Sequence, residues 1–130
     1  MQITKLKFPT YHSSLWIVID KTLYSAFDKI EDITNERIVN PKEIRSIRAY
    51  TFAYEKESGG YRVILFFKQT VKPGEIAHEA KHAINVIFAW HGARLSLTND
   101  EAECYTLEWI VDRCHDAIKK YKKINKKLAD

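Results

Sequence analysis

The stretch GEIAHEAKHAIN, residues 74–85, sets two histidines four positions apart with a glutamate beside the first: His78-Glu79-Ala80-Lys81-His82. On a helix, side chains four apart are stacked neighbours with Cβ atoms about 5–6 Å apart, so the imidazoles of His78 and His82 can converge on one ion. Zinc in a catalytic site takes three protein ligands and leaves a fourth position for water, whose pKa falls toward about 7. Glu79 projects one position round the helix, where its carboxylate can accept that proton. The spacing therefore points to metal-assisted hydrolysis with zinc as cofactor. Shuffling the chain's own residues gives the same spacing about once in a hundred trials, so the reading depends on a third ligand elsewhere.

Two extensions of the motif can be read directly. The metzincin form requires a glycine three residues and a histidine six residues after the second histidine, and those positions are Asn85 and Phe88, which excludes it. The gluzincin form places a glutamate on a later helix about 18–20 residues on, and TNDEAEC puts Glu101 at that distance. Tyr105, one turn further, falls on the same side as Glu101. Glu103 is the rival, but it lies about 200° round the helix, and only one of the two can face the first helix. Glu101 is the expected ligand. Thr98-Asn99-Asp100-Glu101 also reads as a capping box, in which Glu101 would serve a backbone N–H at a helix start. Lys81 stands inside the motif, and its ammonium is compatible with cation binding if the long stem carries it outward. Among the other histidines, His91 is expected to face a helix C-terminal dipole. His115 lies roughly 20 Å along a helix axis from Glu101, too far to join one ion. His12 falls in an unstructured lead.

These residues must be positioned by a small set of elements. Leu15–Asp20, LWIVID, is a short apolar run with β-branched residues, which predicts a buried strand. Residues 21–37 carry Leu23, Phe27, Ile30 and Ile33 at helical spacing and close at Asn40-Pro41. IRAYTFAYE and YRVILFFK flank Lys56–Gly60, which predicts a hairpin, and the unbroken apolar run Val63–Phe67 implies that both faces of its second strand are covered. Glu75 to about His91 shows a helical apolar stripe ending at Gly92, with the histidine pair in its first half. After a loop, Ala93–Asn99, a second long helix is expected from Asp100 to about Lys127, with Leu107, Ile110, Val111, Cys114, Ile118, Tyr121, Ile124 and Leu128 in its stripe. A connection this short makes the two helices neighbours. The order strand, helix, hairpin, helix, helix is that of an α+β fold.

With 130 residues, 45% hydrophobic and 29% charged, the chain has the balance of one globular domain, 1–130, rather than a disordered segment. No apolar run reaches the roughly 18 residues of a membrane span, and no secretory leader pattern opens it, so a cytoplasmic protein is expected. Cys104 and Cys114 lie about 15 Å apart along one helix, beyond the roughly 7 Å reach of a disulfide. The net charge of +4 is concentrated in a basic tail, about 117–130, holding Lys119, Lys120, Lys122, Lys123, Lys126 and Lys127. Such a tail can track nucleic acid or an acidic partner. No aromatic residues alternate with these lysines to stack on bases, which favours a solvated helix face.

The segment IAHEAKHAINVIFAWHGARLSLTNDEAECYTLEWIV resembles the small zinc-dependent metallopeptidase-like proteins encoded by bacteriophages and bacterial mobile elements. The shared pattern is His78, Glu79, His82 and Ala83, an apolar helix, then Asn99, Asp100, Glu101, Ala102 and Tyr105. The likeness is strongest over 74–111, weaker over the upstream strands and absent from the basic tail. Ala80-Lys81 departs from the Cys or Phe usual inside that motif. The resemblance implies a zincin-like domain of gluzincin type: a short sheet whose edge strand pairs with an extended peptide, above the helix bearing the histidines. It does not imply a substrate, so a peptide or protein substrate is expected from the site alone; the setting it implies is a bacterial or phage-infected cytoplasm. Glu79 would carry the proton to the leaving amine and Tyr105 would donate to the oxyanion. The alternative is a non-catalytic protein of the same fold that holds a protein or nucleic-acid partner through its hairpin edge and basic tail.

Overall fold

The computed structural model describes residues 1–38 and 47–129, arranged as β1 (Gln2–Lys7), β2 (Ser13–Asp20), α1 (Leu23–Thr34), β3 (Ala49–Glu55), β4 (Tyr61–Lys68), α2 (Pro73–Trp90) and α3 (Glu101–Ala129). The class is α+β: the described residues form one four-stranded mixed sheet in the order β1-β2-β4-β3 and three helices. β2 and β4 run parallel at its centre, and β1 and β3 are antiparallel edges. The parallel pair needs a long crossover, and the chain between β2 and β4 supplies it with α1 and β3.

Both central strands are apolar on both sides because both sides are covered. Leu15, Ile17, Ile19, Val63, Leu65 and Phe67 face a core built with α2 and α3. Trp16, Val18, Ile64 and Phe66 face a second, smaller core closed by Leu23, Ala26, Phe27 and Ile30 of α1. Phe27 meets Phe66 edge to face at 4.7 Å between ring centroids.

The opening residues are not an unstructured lead. Gln2 to Lys7 pair along β2, from Gln2 opposite Ile19 to Lys7 opposite Ser14. Leu6 packs on the α2–α3 core and Ile3 on the α1 core, while the Gln2 amide donates to the Ala117 carbonyl of α3 at 2.9 Å. Lysines at positions 5 and 7 interrupt the apolar alternation, which hides the strand in the sequence and also blunts a sheet edge against unwanted pairing. His12 follows in the β1–β2 connection, against Gly60.

α1 is shorter than the expected 21–37. The Thr22 hydroxyl accepts the Ser25 N–H at its start, and Asn35 ends it in the left-handed region at φ 58°, with its N–H bonded to the Glu31 carbonyl. Ile33 consequently sits on the outer face, 53% exposed. Asn40-Pro41 lies outside the described residues.

The hairpin forms as expected, with Glu55 opposite Tyr61. Its turn requires glycine: Gly59 and Gly60 adopt φ of 92° and 78°, a region that a Cβ makes costly. β3 alternates small and aromatic residues. Ala49 and Ala53 face the α2 side, as does Thr51, which bonds Glu79, whereas Tyr50, Phe52 and Tyr54 face the α1 side. The small face lets α2 lie close beneath this edge strand.

α2 starts with Pro73 in its first turn and Glu75 reaching back to accept the Lys72 N–H at 2.8 Å. Ile76, Ala80, Ala83, Ile84, Ile87 and Phe88 form its buried face. It stops before Gly92, φ 68°. α3 then packs back along α2 through Ile110, Cys114, Ala117, Ile118 and Tyr121. Beyond Tyr121 the basic tail continues as helix with Ile124 and Leu128 43% and 80% exposed. Among the described residues, no helix is long and apolar enough to cross a membrane. Cys104 is exposed and Cys114 buried, and neither forms a disulfide.

Candidate metal centre

Helix α2 places three chemically distinct stripes. Its apolar stripe faces the sheet and α3, Glu79 sits at the border toward β3, and His78 and His82 share the outward face. The imidazoles of that pair lie edge to face, 4.8 Å between centroids at 77°, with their Nε2 atoms 3.1 Å apart. Tetrahedral zinc bound at about 2.0–2.1 Å holds two imidazole nitrogens about 3.3 Å from one another, so the pair is near the separation that one ion demands.

Glu79 differs from its neighbours in being buried, at 8% exposure. Its carboxylate Oε2 lies 3.2 Å from the Thr51 hydroxyl of β3, which stands equally 3.2 Å from the Glu79 backbone oxygen. Among the described residues no cationic side chain pairs with it. A carboxylate removed from water without a counter-charge is costly, and a cation beside it offsets that cost. One ligand atom from each of His78, Glu79 and His82 lies within 4.8 Å of the others, so these residues can hold a metal ion, and they are the one such group among the described residues. Two imidazoles and a carboxylate are a donor set suited to zinc and its neighbours in the first transition row.

Two cavities of about 400 Å³ each open along the seam between β3 and α2. One, toward the start of α2, is lined by Arg48, Ala49, Tyr50, Glu75, His78 and Glu79 among others. The second continues past Thr51, Ala53, His82, Asn85 and Val86. Glu79 borders both, with Ala49 and Ala53 leaving the space on either side of Thr51. At the first cavity the Arg48 Nε donates to both Glu75 carboxylate oxygens, at 2.9 and 3.1 Å. That guanidinium, and then the Lys72 N–H, hold the Glu75 carboxyl below its ordinary range.

α3 does not bring Glu101 to this group. The acid that reaches α2 is Glu103, whose carboxylate pairs with the Lys81 ammonium. The cause is helical phase. The buried residues Ile110, Cys114, Ala117 and Tyr121 of α3 fall within about 20–40° of Glu103 on a helical wheel, while Glu101 and Tyr105 lie on the opposite side. Glu101 is exposed as the first residue of α3, where its charge complements the helix N-terminus. The capping box over 98–101 does not form around it, since the Ser96 hydroxyl accepts the N–H groups of Thr98 and Asn99 at 3.3 and 3.1 Å. Tyr105 is 67% exposed and borders a separate hollow with Phe8, Pro9, Thr10 and Trp109, away from the histidine pair.

His91 caps the end of α2, with Nε2 2.9 Å from the Ser13 hydroxyl. His115 is exposed on α3. Neither belongs to the centre. Sequence reading gives no place to Thr51 and ranks Glu103 behind Glu101. The alternation in AYTFAYE carried a signal for the first, because it puts Thr51 between two alanines on one face. The apolar stripe of α3, extended backward, carried it for the second.

Comparison with protein-family models, with curated proteins and with solved structures finds no match.

Proposed function

We propose that this protein is a zinc-dependent metallopeptidase of gluzincin type, hydrolysing a peptide or related amide bond. The observation that carries the reading is the 3.1 Å approach of the His78 and His82 Nε2 atoms beside a buried carboxylate that has no cationic partner among the described residues. When bound, zinc supplies the positive charge that polarises a carbonyl and the acidity that lets water act as a nucleophile near neutral pH. The chain's own residues do the remainder. His78 and His82 present neutral imidazole nitrogens outward from α2. Glu79, bordering both cavities, accepts the proton of the attacking water and returns it to the leaving amine. The Thr51 hydroxyl fixes the direction of that carboxylate. β3 is an edge strand of the sheet among the described residues, and such an edge can take an extended peptide as an added strand, while the small residues Ala49 and Ala53 leave room for side chains on either side of the bond to be cut.

The same 3.1 Å separation also suits one N–H···N bond between neutral imidazoles, and metal content separates the two. Elemental analysis of protein purified without an affinity tag is expected to give one zinc per chain, lost in His82→Ala; protein that takes up no metal when zinc is supplied refutes the proposal. Glu79→Gln is expected to keep the metal and abolish turnover of a peptide library.

A further inference from the structure

Where the β1–β2 connection meets the β3–β4 turn, a smaller cavity of about 140 Å³ is lined by Lys7, His12, Ser13, Ser14, Lys56 and Tyr61 among others. It has no part in the metal centre: Ser13 on its wall bonds His91, which stands roughly 14 Å beyond His82 along α2. Strand pairing builds it. Lys7 lies opposite Ser14 across β1 and β2, so both project from one face of the sheet, and the β3–β4 turn brings Lys56 to the same end. Gly60 leaves the gap, since the place a Cβ there would take is 3.5 Å from His12 Nε2 and 3.6 Å from Lys56 Cε. Among the described residues no carboxylate lines this cavity, and neither lysine has an acidic partner. Glu57, the acid next to Lys56, lines a separate hollow. Two ammonium groups gathered at one concavity repel each other, and an anion between them offsets that repulsion.

We propose that this cavity is a binding site for a phosphate group, free or carried as a monoester on a small molecule. Lys7 and Lys56 supply the charge, each as a point charge on a flexible stem that can settle on the phosphate oxygens. The His12 imidazole adds an N–H donor and Ser14 an O–H donor. The Ser14 hydroxyl is available for this, because its bond to the Tyr61 carbonyl is long at 3.4 Å. Volume sets the size of the ligand: about 140 Å³ is well under the roughly 300 Å³ at which pockets begin to take drug-sized molecules. The cavity therefore admits a phosphate with a few attached atoms rather than a nucleotide. Phe8, Tyr11 and Tyr61 on its wall give the attached group an apolar surface.

Titration of chelator-treated protein with inorganic phosphate and with phenyl phosphate, followed by NMR chemical shifts at constant ionic strength, tests this. Chelation removes any metal ion that could hold the phosphate instead, so the outcome is independent of the metal reading. Saturable shifts are expected at Lys7, His12, Ser14, Lys56 and Gly60 and not at His78 or His82. Lys7 is exposed and Lys56 half-buried, so Lys7→Met and Lys56→Met are expected to fold with an unchanged Tm, and each to weaken binding about tenfold. Lys56→Arg, which keeps the charge, is expected to stay within about threefold of the parent, and Lys122→Met in the basic tail to leave affinity unchanged. Tighter binding of phenyl phosphate upholds the site as one for a monoester; equal affinity upholds it as one for free phosphate. Shifts no larger than those given by chloride at the same ionic strength overturn the inference. So does an affinity that falls as far in Lys122→Met as in Lys56→Met, which would make Lys7 and Lys56 part of a general cationic surface.

Discussion

The contact between Thr51 and Glu79 joins the edge strand to the helix and can be weighed by a single isosteric change. Thr51→Val keeps the shape and the β propensity of the residue but removes the hydroxyl, whose oxygen stands 3.2 Å from both the Glu79 backbone oxygen and its carboxylate. Leaving a buried acceptor unsatisfied costs about 1–3 kcal/mol, with charged groups at the upper end. For a chain of this size about 1 kcal/mol corresponds to roughly 4 °C in Tm, so the variant is expected to melt about 4–12 °C lower in chelator-treated protein. Because the hydroxyl has one hydrogen and two acceptors, Glu79→Gln decides which it serves. If the carboxylate is the main acceptor, Thr51→Val costs less than half as much in the Glu79→Gln background as in the parent. The two substitutions then show a coupling of more than about 0.5–1.5 kcal/mol, half of the cost in the parent. Equal costs in both backgrounds would refute the assignment of Thr51 as the group that orients the carboxylate, and would leave it a bond between a strand side chain and the helix backbone. A Thr51→Val variant as stable as the parent would refute the contact altogether.

Two further outcomes follow from groups away from the centre. Burial pushes the Cys114 thiol up to about 12, and Cys104, although exposed, is also raised, by desolvation and by the carboxylates of Asp100, Glu101 and Glu103. Since the thiolate is the reactive form, titration with a disulfide reagent at about pH 8 is expected to modify Cys104 slowly and Cys114 only after denaturation, and rapid modification of two thiols in the native protein would contradict the packing of α3. Glu75, held down from its ordinary 4.5 by Arg48 and by the Lys72 N–H, contributes stability that is present above that value and is lost as pH falls through its lower folded one. The pair is partly exposed, so Arg48→Met is expected to cost no more than about 1 kcal/mol at neutral pH. The gap to the parent is expected to close on titration well below pH 4.5, and a gap that persists in acid would mean that Arg48 stabilises by packing instead.

The central strands, the hairpin and the two long helices were legible because each carries one strong pattern. Val63–Phe67 is an apolar run too short for a helix and too continuous for a half-exposed strand, and α2 and α3 keep apolar spacing over several turns. β1 was not legible, since its side chains divide between two cores and lysines occupy the intervening positions. The signal for this strand is the partner it pairs with, β2, and pairing is a property of the fold rather than of six residues. The end of α1 was lost for a related reason: Ile33 continues the apolar spacing, but Asn35 in the left-handed conformation stops the helix, and asparagine at that position carries no periodicity.

The histidine pair was legible because four residues on a helix fix a separation almost independently of the fold. Which acid of α3 turns toward α2 was not, because the distance in sequence from His82 to an acid on another helix leaves the rotational phase of that helix undetermined. Glu101 satisfied the spacing, and Glu103 is the residue that faces α2. Phase is nevertheless written in α3 itself: its buried stripe fixes which side turns inward, and continuing the stripe backward by two turns from Ile110 arrives at Glu103, with Glu101 and Tyr105 opposite. Lys81 completes that argument from the other helix. Its ammonium meets the acid that α3 turns inward, so the two charges that look anomalous in their own helices, one between the two histidines and one on an apolar stripe, are explained by each other.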